Sequence, residues 1–591
     1  MLYGKLTSDG FPNVCGGRQP DSIFDSPSLR LFFYGVLYNR NLVAPTSTED
    51  DATIVAKLFL KESEKAFSRL DGSFTILYFT GRQSGIVRDF HGTHFSVYYS
   101  DDASFSTSLS ALHALSPSET DRCSLTAALQ RGLLLPGRSP FRGIRRLEAG
   151  FHLVKRAEGL SCSKVFPLSV VEESILESGQ SLEECSYRYA VLHQKAIQRR
   201  ITHQGRVGIL LSGGYDSGSN LAALRKCFSG IVDSYSVGFK GDCWTELPLA
   251  RVMSQAFDTR HHEYEIDGSE IEALPEIIRF LEEPFVEGGL MVNFCAMRMM
   301  GADKPEVILG GDGSDQYFGT SGRELAFHYL LGKAGLVPLL NVLQHGLDSP
   351  RIDTGGKLSR VRFHLDKILH IMEGERFGYS SSVVSSLLQH PSDDLLSCET
   401  VRPDMQSFDH LFRQHAQLSD IEIVINRIIL FKASRMARMF DNNLTYPFMD
   451  LELYHYVQQL PVSMRYKADG LMDMIRGRGI SKYLLKHCYK PLLPEVITSK
   501  KKQGGFAPMP LFFKDPVRCS RLKDFILSSS IFDDYLNRKG VEKFLNDYAK
   551  VSSDSHKWFW YRQNCALQYF NLLALVTWWE EFVEGKELLT Y

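Results

Sequence analysis

The sequence predicts an α/β protein in two parts, a β-rich front and a doubly wound parallel sheet with a helical C-terminal part. Three observations lead there. The first 165 residues or so carry aromatic and β-branched runs bounded by Gly, Asp and Ser. Beyond Val207 short apolar strands alternate with helical patterns of ten to fifteen residues, the signature of a parallel sheet with crossover helices. The run Val207-Gly-Ile-Leu-Leu211 then breaks at Ser212-Gly213-Gly214 and continues into helix-compatible sequence, a strand–turn–helix start that gathers backbone N–H groups and a positive dipole end.

The chain of 591 residues has ample material for large cores in two to four domains. With 44% hydrophobic and 23% charged residues the composition is that of a soluble globular protein, and a net charge near −2 carries no basic footprint for nucleic acid. Eleven cysteines without C-x-x-C pairs point to free thiols in a reducing compartment. The first ten residues lack a basic segment followed by an apolar one, and the most apolar late stretch, Leu572 to Trp579, is too short to span a bilayer. A cytoplasmic protein with no membrane span is expected.

In the front part, Leu31–Tyr38, Phe74–Phe79 and His94–Tyr99 read as strands, with a helical pattern over Thr53–Leu70. Two stacked sheets with helices outside, an α/β/β/α arrangement, fit this alternation. A Ser-, Glu- and Gly-rich stretch around Lys155–Ser181 is the expected linker. A helix follows from Leu182 to about His203. Strands are then expected at Val207–Leu211, Ile231–Phe239, His261–Ile266 and Val307–Gly311, with helices at Ser217–Arg225, Glu246–Phe257 and Ile271–Leu281. Later amphipathic helices fall at 324–345, 358–373, 421–440, 450–460, 480–489 and 521–585.

The chemistry-bearing residues lie at strand ends. The Ser212 loop lacks the lysine of a Walker P-loop and carries Asp216 instead, a hard oxygen ligand suited to Mg²⁺ beside phosphate. In Gly310-Gly-Asp-Gly-Ser-Asp315 two carboxylates sit three residues apart after a strand. Asp315 with Asp216 would bridge Mg²⁺ to a triphosphate, while Asp312 would act as a base or orient a nucleophile. Turn-forming aspartates are equally at home in such a stretch; sharing one sheet end with the Ser212 loop tips the balance to chemistry. Lys501 and Lys502, beside Gly504-Gly505, would bring a cation to a developing charge, although a lysine triplet is commonly solvated surface. His261-His262 lacks a second ligand pair at metal spacing and reads as structural.

These motifs, taken in order, resemble the asparagine synthetase family, a branch of the PP-loop ATP pyrophosphatases. The likeness rests on Leu-Leu-Ser-Gly-Gly-Tyr-Asp-Ser (210–217), Ser-Tyr-Ser-Val-Gly-Phe (234–239), Glu-Glu-Pro-Phe (282–285) and Gly-Gly-Asp-Gly-Ser-Asp-Gln-Tyr-Phe-Gly (310–319). It continues with Tyr-Pro-Phe-Met-Asp (446–450), Leu-Pro-Glu-Val-Ile (493–497) and Lys-Lys-Gln-Gly-Gly-Phe (501–506). The front part, through Phe33–Asn39, Leu70–Phe74, Val87–Gly92 and Phe141–Leu147, resembles the family's class II glutamine amidotransferase domain. The resemblance implies an Ntn-hydrolase-like domain at 1–165 and an ATP-dependent ligase domain at 180–591. It implies ATP and Mg²⁺, with Leu211, Ser212, Gly213, Gly214, Asp216, Ser217, Val237, Gly310 and Gly311 at the nucleotide and Asp216 and Asp315 at the metal. Asp312 and Lys502, or in its place Lys501, would be catalytic.

Departures narrow the expectation. The amidotransferase nucleophile is a cysteine at the second position, and here Leu2 stands there, with the next cysteine at Cys15. A leucine cannot attack a carboxamide, so the front domain is expected to be inactive. Asp312 replaces the family's glutamate, and no arginine lies between Asn442 and Tyr446. An inactive amidotransferase part joined to an intact adenylating part is similar to β-lactam synthetases and lasso-peptide cyclases. The expected activity is therefore adenylation of a carboxylate followed by attack of an amine, foremost macrolactam closure in a peptide. β-Lactam-type cyclisation, ammonia-dependent amidation and a non-catalytic scaffold are the alternatives. The expected partners are a peptide or small-molecule carboxylate substrate, with a precursor-processing protease or leader-binding protein.

Overall fold

The computed structural model describes residues 1–8, 15–16, 18–166, 180–201, 205–241, 244–349, 355–373, 380–391, 403–500, 507–554, 556–588 and 591. The chain divides into two compact units, one of 1–125 with 134–169 and one of 126–133 with 170–591.

In the first unit β1 (Leu2–Lys5), β2 (Cys15–Gly16), β3 (Ser22–Asp25), β4 (Leu29–Leu37), β5 (Gly72–Thr80), β6 (Ser84–Arg88), β7 (Tyr98–Ser100), β8 (Ser104–Ser106), β9 (Ile144–Arg146), β10 (Phe151–Arg156) and β11 (Gly159–Lys164) make two sheets. Their orders are β2-β1-β8-β7-β9 and β11-β10-β6-β5-β4-β3, and every pairing is antiparallel. Period-two alternation explains the layering. From β4 and β5, Leu31, Phe33, Ile76 and Tyr78 meet Ile54, Val55 and Phe59 of the helix Asp51–Glu62. From the other face of those strands Tyr34, Leu77 and Phe79 meet Leu2, Tyr99 and Phe105 of the second sheet. The helix Leu109–Leu115 packs on β7 and β8. The expected α/β/β/α layering is present.

Three local expectations change. The helical pattern over Thr53–Leu70 is α-helical only to Glu62; Ser63 turns left-handed (φ 54°) and a 3₁₀ stretch runs to Arg69. Of His94–Tyr99, only the end joins a strand, β7. The linker expected from Lys155 begins later, because β10 and β11 form a hairpin through Lys164. Strand β11 is an edge strand with no buried residue, so its Gly-Leu-Ser-Cys-Ser-Lys reads as linker although it is paired.

In the second unit β12 (Arg206–Leu210), β13 (Ile231–Phe239), β14 (Arg260–Ile266), β15 (Val307–Leu309) and β16 (Leu444–Thr445) form one parallel sheet in the order β14-β13-β12-β15-β16. The chain winds outward from β12 through β13 to β14, then returns to β15 on the other side of β12. Right-handed crossovers place the connecting helices of the two halves on opposite faces, which makes the sheet doubly wound. The order reverses between β12 and β15, and such a switch point opens a crevice beyond the strands' carboxyl ends.

The helix Leu290–Asp303 and the strand β16 went unread in the sequence. Half of the helix's residues are buried and its apolar residues are spread round its circumference, so it has no amphipathic period to betray it; β16 has two residues. The helix expected at 324–345 is two, Gly322–Lys333 and Val337–Leu347, separated by a left-handed Gly335 (φ 68°). Around Ala416–Ile429 the backbone widens into a π-helix before returning to α-helix at Leu430. The long helix Phe559–Phe582 is buried from Cys565 to Glu580. Among the described residues no single helix is long and apolar enough to cross a membrane.

Candidate active site

The loop after β12 is shaped by its glycines. Gly213 lies at φ 72°, and a Cβ there would come within 2.7 Å of Leu249 Cβ and 2.9 Å of the Ala250 backbone nitrogen, so the close turn requires glycine. Gly214 caps the helix Tyr215–Cys227 without any capping side chain, leaving the helix start to face the crevice with its dipole. The Ser212 N–H donates to Ser217 Oγ at 3.1 Å, and the two hydroxyls are 3.2 Å apart. Behind the loop Leu211 N–H bonds the Tyr235 carbonyl on β13 at 2.8 Å.

The turn after β15 comes up against this loop. A Cβ on Gly311 would lie 3.6 Å from the Ser217 backbone nitrogen, and Asn220 Nδ2 donates to the Gly310 carbonyl at 2.9 Å. Asn220 is itself held by the buried His193, whose Nε2 is 2.8 Å from Asn220 Oδ1 and whose Nδ1 is 2.6 Å from Tyr489 Oη. Burial lowers the pKa of His193 to about 4, opposed by the Asn220 contact, so the ring is neutral at physiological pH. Gly313 (φ 107°) opens the short helix Ser314–Phe318 and sets Asp315 in its first turn.

Asp216 and Asp315 converge on one cation. Lys482 Nζ lies 2.7 Å from both carboxylate oxygens of Asp216 and 2.8 Å from Asp315 Oδ1. Ser314 Oγ also donates to Asp216. Lys482 is 3% exposed and sits in the left-handed region at φ 52°, a strained setting for a lysine. Burial alone would discharge it, but the two carboxylates outweigh burial and hold its pKa above the ordinary lysine value. No spacing rule marks this lysine in the sequence, and it went unread there; its one local signal is its place immediately before the helix Tyr483–Tyr489.

Asp312 keeps an opening into the same cavity yet is surrounded by protein. Burial pushes its carboxyl up to about 6; Lys432 opposes the rise, and Glu287, Asp216 and Asp315 add to it. Lys432 and Glu287 are themselves ion-paired, and Glu287 Oε2 accepts the Gly289 N–H at 2.8 Å.

A cavity of about 1300 Å³ joins these groups. Of the residues expected at the nucleotide, Leu211, Ser212, Gly213, Gly214, Asp216, Ser217, Val237 and Gly311 line it, as do Asp312 and Asp315. Gly310 is not on its wall: Tyr446 lies against it, within 2.9 Å of where a Cβ would be. Lys501 and Lys502 lie outside the described residues. Their neighbour Lys500 lines the cavity, paired with Glu246. Arg362, Asp366 and His370 also line it, as do His415 and, from the π-helical stretch, Asp420 and Val424. Asp450, in the Tyr-Pro-Phe-Met-Asp motif, is fully buried; it pairs with Arg199 and Arg200 at 3.0 Å and caps the helix Leu451–Gln459, so its role is structural. His261 and His262 are also structural, bonded to Ser234 and Asp233.

The donor set suits Mg²⁺. Among the described residues no cluster of three or more His, Cys, Asp or Glu side chains forms a closed metal cage. Two carboxylates beside a phosphate-shaped loop are what this ion takes when phosphate supplies its remaining ligands.

Comparison with known proteins identifies the family. Over 580 residues the chain is 21% identical to asparagine synthetase [glutamine-hydrolyzing] 1 of Bacillus subtilis, covering 93% of this chain and 86% of that protein. It is 23% identical over 462 residues to a putative asparagine synthetase [glutamine-hydrolyzing] of Mycobacterium bovis, covering 75% and 65%. The mouse asparagine synthetase [glutamine-hydrolyzing] is 26% identical over 321 residues, covering 51% and 56%. A solved glutamine phosphoribosylpyrophosphate amidotransferase from B. subtilis, complexed with ADP and GMP, aligns with 42% of this chain and 48% of its own at 14% identity, and its TM-score of 0.19 is too low to argue from. The family model for asparagine synthase matches residues 189–580, which takes in the whole parallel sheet and its crevice, and the chain belongs to the asparagine synthase family.

Proposed function

We propose that this protein is an ATP-dependent amide ligase that adenylates a substrate carboxylate and lets an amine attack it, and that the product is a peptide macrolactam. The observation that carries the ligase reading is the convergence of Asp216 and Asp315 at the switch point, with Asp312 in the same cavity. ATP is a consumed substrate here. Its triphosphate lies against the Ser212–Ser217 loop, where the helix start and backbone N–H groups favour phosphate. Asp216 and Asp315 would hold Mg²⁺, which would neutralise charge on the phosphates. The substrate carboxylate attacks the α-phosphorus, giving acyl-AMP and pyrophosphate; the amine then attacks the acyl carbon and AMP leaves. Asp312, with its raised pKa, takes the proton from the attacking amine.

The peptide reading rests on two supports. The cavity of about 1300 Å³ is larger than the roughly 300–1,000 Å³ of a single-ligand pocket, so it has room for an acceptor substrate beside ATP. Leu2, moreover, is buried in the core of the front unit and offers no nucleophile to release ammonia from glutamine. The relatives are asparagine synthetases by name, which favours a second reading, amidation of a small carboxylate by ammonia. Mass spectrometry separates the two: with ATP and candidate precursor peptides, closure removes one water, whereas amidation by ammonia lowers the mass by about one unit. Products of the second kind alone would overturn the macrolactam proposal and leave the ligase standing.

A further inference from the structure

Lys482 raises a question that nucleotide chemistry alone does not answer. Its ammonium touches three of the four oxygens of the carboxylate pair that the proposed function gives to Mg²⁺. The side chain is 3% exposed and approaches from a left-handed backbone position, so it is held at the carboxylates and is not a surface group that has drifted there. Two cations in contact with the same carboxylate oxygens repel each other at short range in a site of low polarity. A divalent ion can bridge Asp216 and Asp315 only if the ammonium gives up contacts to at least one of them. A buried ammonium released from its carboxylates needs another anion beside it, and a triphosphate seated on the Ser212–Ser217 loop lies within the same cavity.

We infer that Lys482 is an internal counter-cation that gates the metal site: Asp216 and Asp315 accept a divalent ion only when a nucleotide's phosphates take over the lysine's ammonium. The inference rests on the reading of those two aspartates as the metal ligands and adds a rule of coupling to it. Metal and nucleotide binding become mutually dependent, by the same factor in each direction. Lys482 is thus a positioning residue whose charge suppresses binding of the free ion. It also keeps two carboxylates together before the substrate arrives.

The test is a Mn²⁺ titration of the full-length protein followed by the electron paramagnetic resonance signal of the free ion, with and without a non-hydrolysable ATP analogue. The wild type is expected to bind Mn²⁺ far more weakly without the analogue, by a coupling on the order of 5–150-fold. Lys482→Met should strengthen nucleotide-free Mn²⁺ binding by at least about tenfold and shrink that coupling. Lys482→Gln, which is neutral but still donates a hydrogen bond to the carboxylates, serves if the Met variant does not fold. Lys482→Arg keeps the charge and should behave as wild type. Nucleotide-free Mn²⁺ binding equally tight in wild type and the neutral variant would overturn the gate while leaving the metal ligands in place. If Mn²⁺ binds the wild type in neither condition, the reading of Asp216 and Asp315 as ligands falls, and the gate falls with it.

Discussion

At the scale of single residues, the carboxylates of the crevice have different environments and therefore different predicted behaviour. Asp312 is the one pushed up to about 6, by burial before anything else. As a base it works only when ionised, so the amide-forming rate should rise with pH through about 6 and fall away below it. The stability sign is the reverse. A carboxyl with a folded pKa above its unfolded value contributes stability that is complete below the unfolded value near 3.8 and lost as the pH rises through about 6. Asp312→Asn should slow amide formation by about 10²–10⁴-fold and remove the pH step near 6; a step that survives in the variant would assign it to another group. Asp216→Asn should weaken binding of the Mg²⁺–ATP analogue complex, read by calorimetry, by about 10–150-fold, the worth of a charged contact of about 1.5–3 kcal/mol. Unchanged affinity would remove Asp216 from the metal. Both aspartates were legible in the sequence because Gly-rich turns after strands announce themselves. Lys482 was not, because nothing local distinguishes a buried lysine aimed at a carboxylate 266 residues away from a lysine on a solvated helix.

At the scale of elements, the strand–turn–helix units were readable wherever apolar runs ended in glycine. The observed β13 matches the expected Ile231–Phe239 residue for residue, because its Val, Ile, Tyr and Phe residues favour a strand and Gly230 and Gly241 bound the run. Elements whose environment hides their period were misread or missed. The helix Leu290–Asp303 spreads its apolar residues round its circumference, and β11 is paired but has no buried residue. The Gly213 turn gives the prediction that belongs here. With φ at 72° and Leu249 Cβ 2.7 Å from where a side chain would begin, Gly213→Ala must distort the loop or displace the helix Leu247–Ala256. Left-handed strain alone costs about 1–3 kcal/mol. The variant should therefore show a lower thermal midpoint together with weakened binding of the ATP analogue. Gly81→Ala, in the front unit, has nothing within 4 Å of the new methyl group and serves as the matched control. Equal behaviour of the two would show that the tight turn is not what shapes the phosphate loop.

At the scale of the whole molecule, the order of motifs along the chain carried the architecture further than any single motif, since it specified both a two-sheet unit and a switch-point sheet. What it could not express is what the front unit does with Leu2. That residue is 3% exposed, shares the inter-sheet core with Leu6 and Phe105, donates its N–H to Thr107 Oγ1 at 2.9 Å and accepts the Thr107 N–H at 2.8 Å. A residue bonded through its backbone and buried through its side chain is a packing element, and leucine has no atom that can attack a carboxamide. The purified full-length protein given glutamine should therefore release glutamate no faster than a protein-free control, whether or not ATP and a ligatable substrate are present. Leu2→Ala should destabilise the front unit by about 2–5 kcal/mol through the cavity it leaves, read as a lower denaturant midpoint, with glutamate release still at background. Glutamate formed by the wild type would mean that another nucleophile serves the front unit. The ammonia-dependent reading would then gain the nitrogen source that Leu2 withholds from it.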